Sequence, residues 1–119
     1  MRADGKSNRS LKRWYSIINR RFFNSQLPTN VIVRWSLPDE ESDIASCNHA
    51  LDKRHAYVLL FNRAKIATRS QLLSALAHEC IHCQTGMHDN HGPAFALIHT
   101  DLVNRGLYRK HALLHGDSI

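Results

Sequence analysis

Near the start of the chain, apolar side chains recur with a helical period. Leu11, Trp14, Tyr15, Ile18 and Phe22 stand at i, i+3, i+4, i+7 and i+11, which predicts an amphipathic helix. Arg9, Lys12, Arg13, Ser16 and Arg20 form its polar face, and Pro28 closes the segment. The β-branched and aromatic run Val31–Trp35 predicts a strand. Pro38 to Asp43 is an acidic loop. Ile44–Leu51 and His55–Phe61 predict two further strands, with residues 51–54 turning between them as a hairpin. Thr68 and Gln71 have the spacing of a capping box. They open a helix that runs through Leu72, Leu73, Leu76 and Ala77 to Thr85, with Gly86 as its stop. Residues 87–92 form a polar loop. Pro93 suits the first position of another helix, whose apolar face is Phe95, Ile98, Leu102 and Val103 and whose end is Gly106. The order helix, three strands, helix, helix predicts an α+β domain with a three-stranded antiparallel sheet. Residues 1–10 are expected as a flexible basic leader, 11–106 as the folded domain and 107–119 as a C-terminal tail.

Composition narrows the class. A chain of 119 residues with 43% hydrophobic and 22% charged residues suits a single globular domain. The longest apolar run, Ala56–Phe61, has six residues, against about twenty for a membrane-spanning helix. No apolar stretch follows the charges of residues 1–10, so no secretory signal is expected. The three cysteines, Cys47, Cys80 and Cys83, cannot all pair, which points to a reducing, intracellular setting. The formal net charge is +6. Residues 1–21 carry seven basic side chains and one acidic one, so this segment accounts for the whole excess. Such localisation suggests a polyanionic partner. Trp14 and Tyr15 fall on the apolar side of the first helix and read as core, not as base-stacking platforms.

The chemistry centres on His78-Glu79-Cys80-Ile81-His82. Residues four apart on a helix share a face, so two imidazoles one turn apart, about 40° around the axis, can hold one Zn²⁺. The intervening Glu can act as general base toward water. Cys80 and Cys83 fall on the opposite side with Leu72, Leu73 and Leu76, and read as buried core residues. A catalytic zinc takes a third protein ligand. No Glu follows Glu79, which excludes a thermolysin-like downstream ligand. His88 has metzincin spacing, but Thr85 stands where that motif requires Gly, and no Met follows Met87 for a Met-turn. His91, just before Gly92-Pro93, is the strongest remaining candidate; Asp89 and Asp101 are outside alternatives.

Leu76-Ala77-His78-Glu79-Cys80-Ile81-His82, followed by His91-Gly92-Pro93-Ala94-Phe95, resembles the SprT-like metalloprotease domain, which includes the Spartan proteases. Arg21-Phe22-Phe23-Asn24-Ser25-Gln26-Leu27-Pro28 and Val31–Trp35 are similar to that family's entry helix and first strand. The resemblance covers roughly residues 11–106. It implies a zincin-like minimal protease fold, one zinc on His78, His82 and His91, and Glu79 as catalytic base. It also implies protein substrates that are bound or crosslinked to DNA. Many relatives carry a zinc ribbon, but no Cys follows Cys83. DNA contact therefore falls to Arg9, Lys12, Arg13 and Arg20, in a monomer with no membrane attachment. His88, Tyr108 and Tyr57 are candidates to stabilise the oxyanion. The competing reading is a non-catalytic zinc-stabilised nucleic-acid or protein-binding module, with His88 or Asp89 as fourth ligand; a zinc hydrolase of another amide is a third.

Overall fold

A computed structural model describes residues 4–85 and 92–106. Helix α1 spans Arg9–Phe22, strands β1, β2 and β3 span Val31–Trp35, Ala45–His49 and Tyr57–Phe61, a 3₁₀ turn spans Arg63–Lys65, and helices α2 and α3 span Arg69–Thr85 and Pro93–Asn104. No helix among the described residues is long and apolar enough to cross a membrane.

Asn8 caps α1, its side chain accepting from the Leu11 N–H at 3.1 Å, and so satisfies one of the helix's orphan donors. Leu11, Trp14, Tyr15, Ile17 and Ile18 are buried. The chain then folds back on α1. Asn24 and Ser25 adopt left-handed backbone at φ 52° and 59°. The Asn19 side chain exchanges hydrogen bonds with the Leu27 backbone at 2.9 and 3.3 Å, and the Tyr15 hydroxyl donates to the Pro28 carbonyl at 2.6 Å.

The sheet is mixed, not antiparallel as the sequence suggested. Its order is β1-β3-β2; β3 pairs parallel to β1 and antiparallel to β2. The hairpin joins β2 to β3, but the loop after β1 carries the chain past one strand position before β2 begins. β3 therefore inserts in the middle. Burial explains the order. Val58, Leu59, Leu60 and Phe61 are all buried, as a central strand covered on both faces must be. β2 reads Ala-Ser-Cys-Asn-His and has no fully buried residue, as suits an edge. The strands are also shorter than expected, because Asp52 organises the connection. Its carboxylate accepts from the Arg54 and His55 N–H groups, both at 2.9 Å.

One sheet face packs on α1 and α2 through Val31, Val33, Leu59 and Phe61; the other buries Ile32, Val58 and Leu60. Residues 4–8, expected as part of a flexible leader, run over this second side and are anchored there. The Asp4 carboxylate accepts from the Leu51 and Asp52 N–H groups at 2.9–3.0 Å. Arg34 Nε donates to the Asp4 carbonyl at 2.7 Å. Ser7 and Asn8 satisfy the outer edge of β1 at Val33. Gly5 has φ 77°, and a Cβ there would lie 2.7 Å from Arg34 Nε, so only glycine fits.

Candidate active site

The capping box at the start of α2 forms as the spacing predicts. Thr68 Oγ1 accepts from the Gln71 N–H at 3.1 Å, and Gln71 Oε1 accepts from the Thr68 N–H at 3.2 Å. From that start the helix sets its two faces. Leu72, Leu76, Ala77, Cys80 and Cys83 are buried, as the helical wheel placed the cysteines. His78 and His82 stand on another side, half-buried, with ring centroids 5.0 Å apart and the rings edge-on. Phe95 of α3 packs against both, at 4.9 Å from His78 and 5.0 Å from His82. The sequence identified Phe95 as an apolar helix residue and as the last residue of the motif that carries the resemblance, with no role at the histidines. Its i+4 distance from His91, in the stretch that follows the His78–His82 motif, was the available signal.

Glu79 is only 5% exposed. Burial, with a smaller contribution from the nearby Glu41 carboxylate, pushes its pKa up to about 8, because desolvation disfavours the charged form. Among the described residues no hydrogen bond or ion pair reaches this carboxyl group. It lines, with His78, a cleft of about 670 Å³ between α2 and the start of β2. The β2 wall is held by the acidic loop. Arg34 forks onto both Glu40 oxygens at 2.9 and 2.8 Å. Asn62 Nδ2 donates to the Glu41 carbonyl at 2.9 Å, and Lys65 Nζ donates to the Ser42 carbonyl.

The donor set suits zinc: two imidazoles on one helix face beside a buried carboxyl group. Among the described residues no group of three His, Cys, Asp or Glu gathers to hold a metal. The expected third ligand, His91, lies outside the described residues, as do His88, Asp89 and Tyr108. The outside alternative Asp101 is not brought to the pair; it faces Arg105 at 3.3 Å, toward the far end of α3. Tyr57 packs in a tilted arrangement against His49, ring centroids 5.6 Å apart, and neither lines the cleft.

The basic face divides. Arg9, Arg13 and Arg20 are exposed on α1. Lys12 is not available as a fourth contact in the way expected. Its ammonium donates to the Thr29 carbonyl at 2.8 Å and to the Val31 carbonyl, and lies 5.2 Å from the Tyr15 ring centroid. Burial lowers its pKa, a nearby Cys83 opposing. Lys12 is a strut between α1 and the start of β1.

The family model described as SprT-like matches residues 11–111. Neither a curated protein nor a solved structure matches the chain.

Proposed function

The chain belongs to the SprT-like family, and from that premise we propose that it is a zinc-dependent endopeptidase acting on DNA-bound or DNA-crosslinked proteins. The observation that carries the reading is Glu79, a buried carboxyl group with no partner among the described residues, opening onto a cleft beside two imidazoles one helical turn apart. His78, His82 and His91 would hold the ion. When bound, zinc supplies a Lewis acid that polarises a carbonyl and acidifies water.

The protein's own groups do the rest. Glu79, ionised, takes a proton from the attacking water and delivers it to the leaving amine. Its burial strengthens it as a base. Phe95 covers both imidazoles, fixing their ring planes and keeping bulk water off that side.

The edge of β2 supports a polypeptide substrate. Ile44 and Ala50 bond inward to Asn62 and Ala56, so by alternation the backbone groups of Ala45, Cys47 and His49 point outward. An extended chain can pair there and lie across the cleft. A purely structural zinc site offers no reason to bury beside its ligands a carboxyl group that has no partner among the described residues. For DNA, Arg9, Arg13 and Arg20, exposed on one face of α1, offer a phosphate-binding face that needs no base contacts.

The test is zinc analysis together with cleavage of an unfolded protein, with and without DNA, for the wild type and Glu79→Gln. The reading expects one zinc in each protein, cleavage only by the wild type, and stimulation by DNA. Zinc-loaded wild type that leaves every protein intact overturns it.

A further inference from the structure

The cleft wall contributed by α2 carries three small side chains in the turns before His78. Ser70, Ser74 and Ala75 precede His78 and Glu79 along this wall. The faces turned elsewhere carry Leu72, Leu73 and Leu76, which pack into or against the core. Across the cleft stands Ile44, an apolar side chain left 52% exposed at the start of β2. The volume of about 670 Å³ falls within the range of sites that enclose a ligand group.

The polar side chains lining the cleft are partly committed. The Lys65 ammonium is held by the Ser42 carbonyl. The Gln71 amide oxygen accepts from the Ala67 and Thr68 N–H groups at 2.7 and 3.2 Å. Asp43 stands exposed at the rim. The lining that remains is Ile44, Ala45, Ala75, neutral hydroxyls and the uncharged Gln71 amide, with His78 and the buried Glu79 carboxyl at its end.

We infer that Ser74 and Ala75, one turn before His78 and Glu79, set the width of a pocket that receives a large uncharged side chain of the substrate, Leu, Met or Phe. This rests on the endopeptidase reading and adds a selectivity to it. A leucine at position 74 would project into the space that side chain needs. Ser74 is exposed, and leucine is the better helix former, so the variant keeps its fold.

The test uses the full chain supplied with zinc and a series of labelled peptides that differ at one central residue: Gly, Ala, Leu or Phe. Binding is followed by anisotropy and cleavage by chromatography. The wild type should favour Phe and Leu over Gly by roughly tenfold or more in both measurements, the scale on which apolar pockets discriminate. Ser74→Leu should lose that factor, bringing the Phe and Leu peptides down to the level of Gly, and Ser74→Ala should retain the wild-type preference. A Phe-to-Gly ratio unchanged in Ser74→Leu, or no preference in the wild type, overturns the inference. Selective binding without any cleavage sinks the endopeptidase reading and leaves the pocket standing. Cleavage whose preference ignores Ser74→Leu does the reverse.

Discussion

The sulfur of Cys83, on the helix that carries His78 and His82, lies 4.0 Å from the sulfur of Cys47 on the edge strand. Cys80 and Cys83 are 0% and 6% exposed, and burial is the leading reason that the Cys80 thiol pKa is raised. Cys80 is therefore an inert packing group, since the thiolate is the reactive form, and Cys83 is shielded by its burial. A thiol reagent should label Cys80 and Cys83 slowly in the folded zinc-loaded protein and rapidly after unfolding. Replacing both by Ala should cost on the order of 1 kcal/mol each and leave one zinc per chain. Loss of zinc from that double variant, by metal analysis, would show that the cysteines serve the metal.

His91→Ala should strip most of the zinc, while His88→Ala should leave most of it. The reverse result would move the third ligand to His88. Because imidazole must be neutral to bind, zinc should also leave the wild type as pH falls below roughly 6. Metal analysis after dialysis at graded pH measures both.

Glu79 makes a pH prediction for the zinc-free chain. Its folded pKa is raised to about 8 from 4.5, so between those values the folded state holds a proton that the unfolded state releases. Stability contributed by this group is therefore present at low pH and lost as pH rises through about 8. Glu79→Gln should stabilise the zinc-free protein at pH 9 by a few kcal/mol, in order of magnitude, and by little at pH 4. Thermal melts at both pH values decide it, and a gain that ignores pH would mean that Glu79 is not desolvated.

The arginines and Lys12 should separate in DNA binding. Three phosphate contacts predict a log–log salt slope of about −2.7 on duplex DNA. Replacing Arg9, Arg13 and Arg20 should flatten it without loss of zinc. Lys12→Met should barely change the slope but destabilise the fold by about 1–3 kcal/mol, because two carbonyls lose their donor. Anisotropy titrations at several salt concentrations and denaturant melts measure the two effects. Absence of salt-sensitive binding in the wild type would leave the helix face a solvated surface.

The elements that local chemistry controls were legible in the sequence. The apolar period places α1 on Leu11, Trp14, Tyr15 and Ile18, and the Thr68–Gln71 pair marks the start of α2 to within one residue of its observed Arg69. The wheel that separates the histidines from Cys80 and Cys83 survives because a straight helix preserves angles. What was missed is long-range. Strand order depends on which strand is covered on both faces, and the hint was the unbroken apolar run Tyr57–Phe61 beside the polar Ala45–His49. Nothing local announces that Asp4 will accept from the amides of Leu51 and Asp52. Lys12 looks like a surface cation until the chain after Pro28 brings two carbonyls to its ammonium.

The central position of β3 also orders the folding of the chain. β1 precedes the other two strands, but its one sheet partner among the described residues, Tyr57–Phe61, comes 26 residues later in register, Val31 against Tyr57. β2 emerges in between and cannot pair with β1. During synthesis neither outer strand can complete its pairing until Phe61 has left the ribosome. A nascent chain halted before residue 57 has α1 and two unpaired strands, and its apolar Val31–Val33 segment is open to association with other chains.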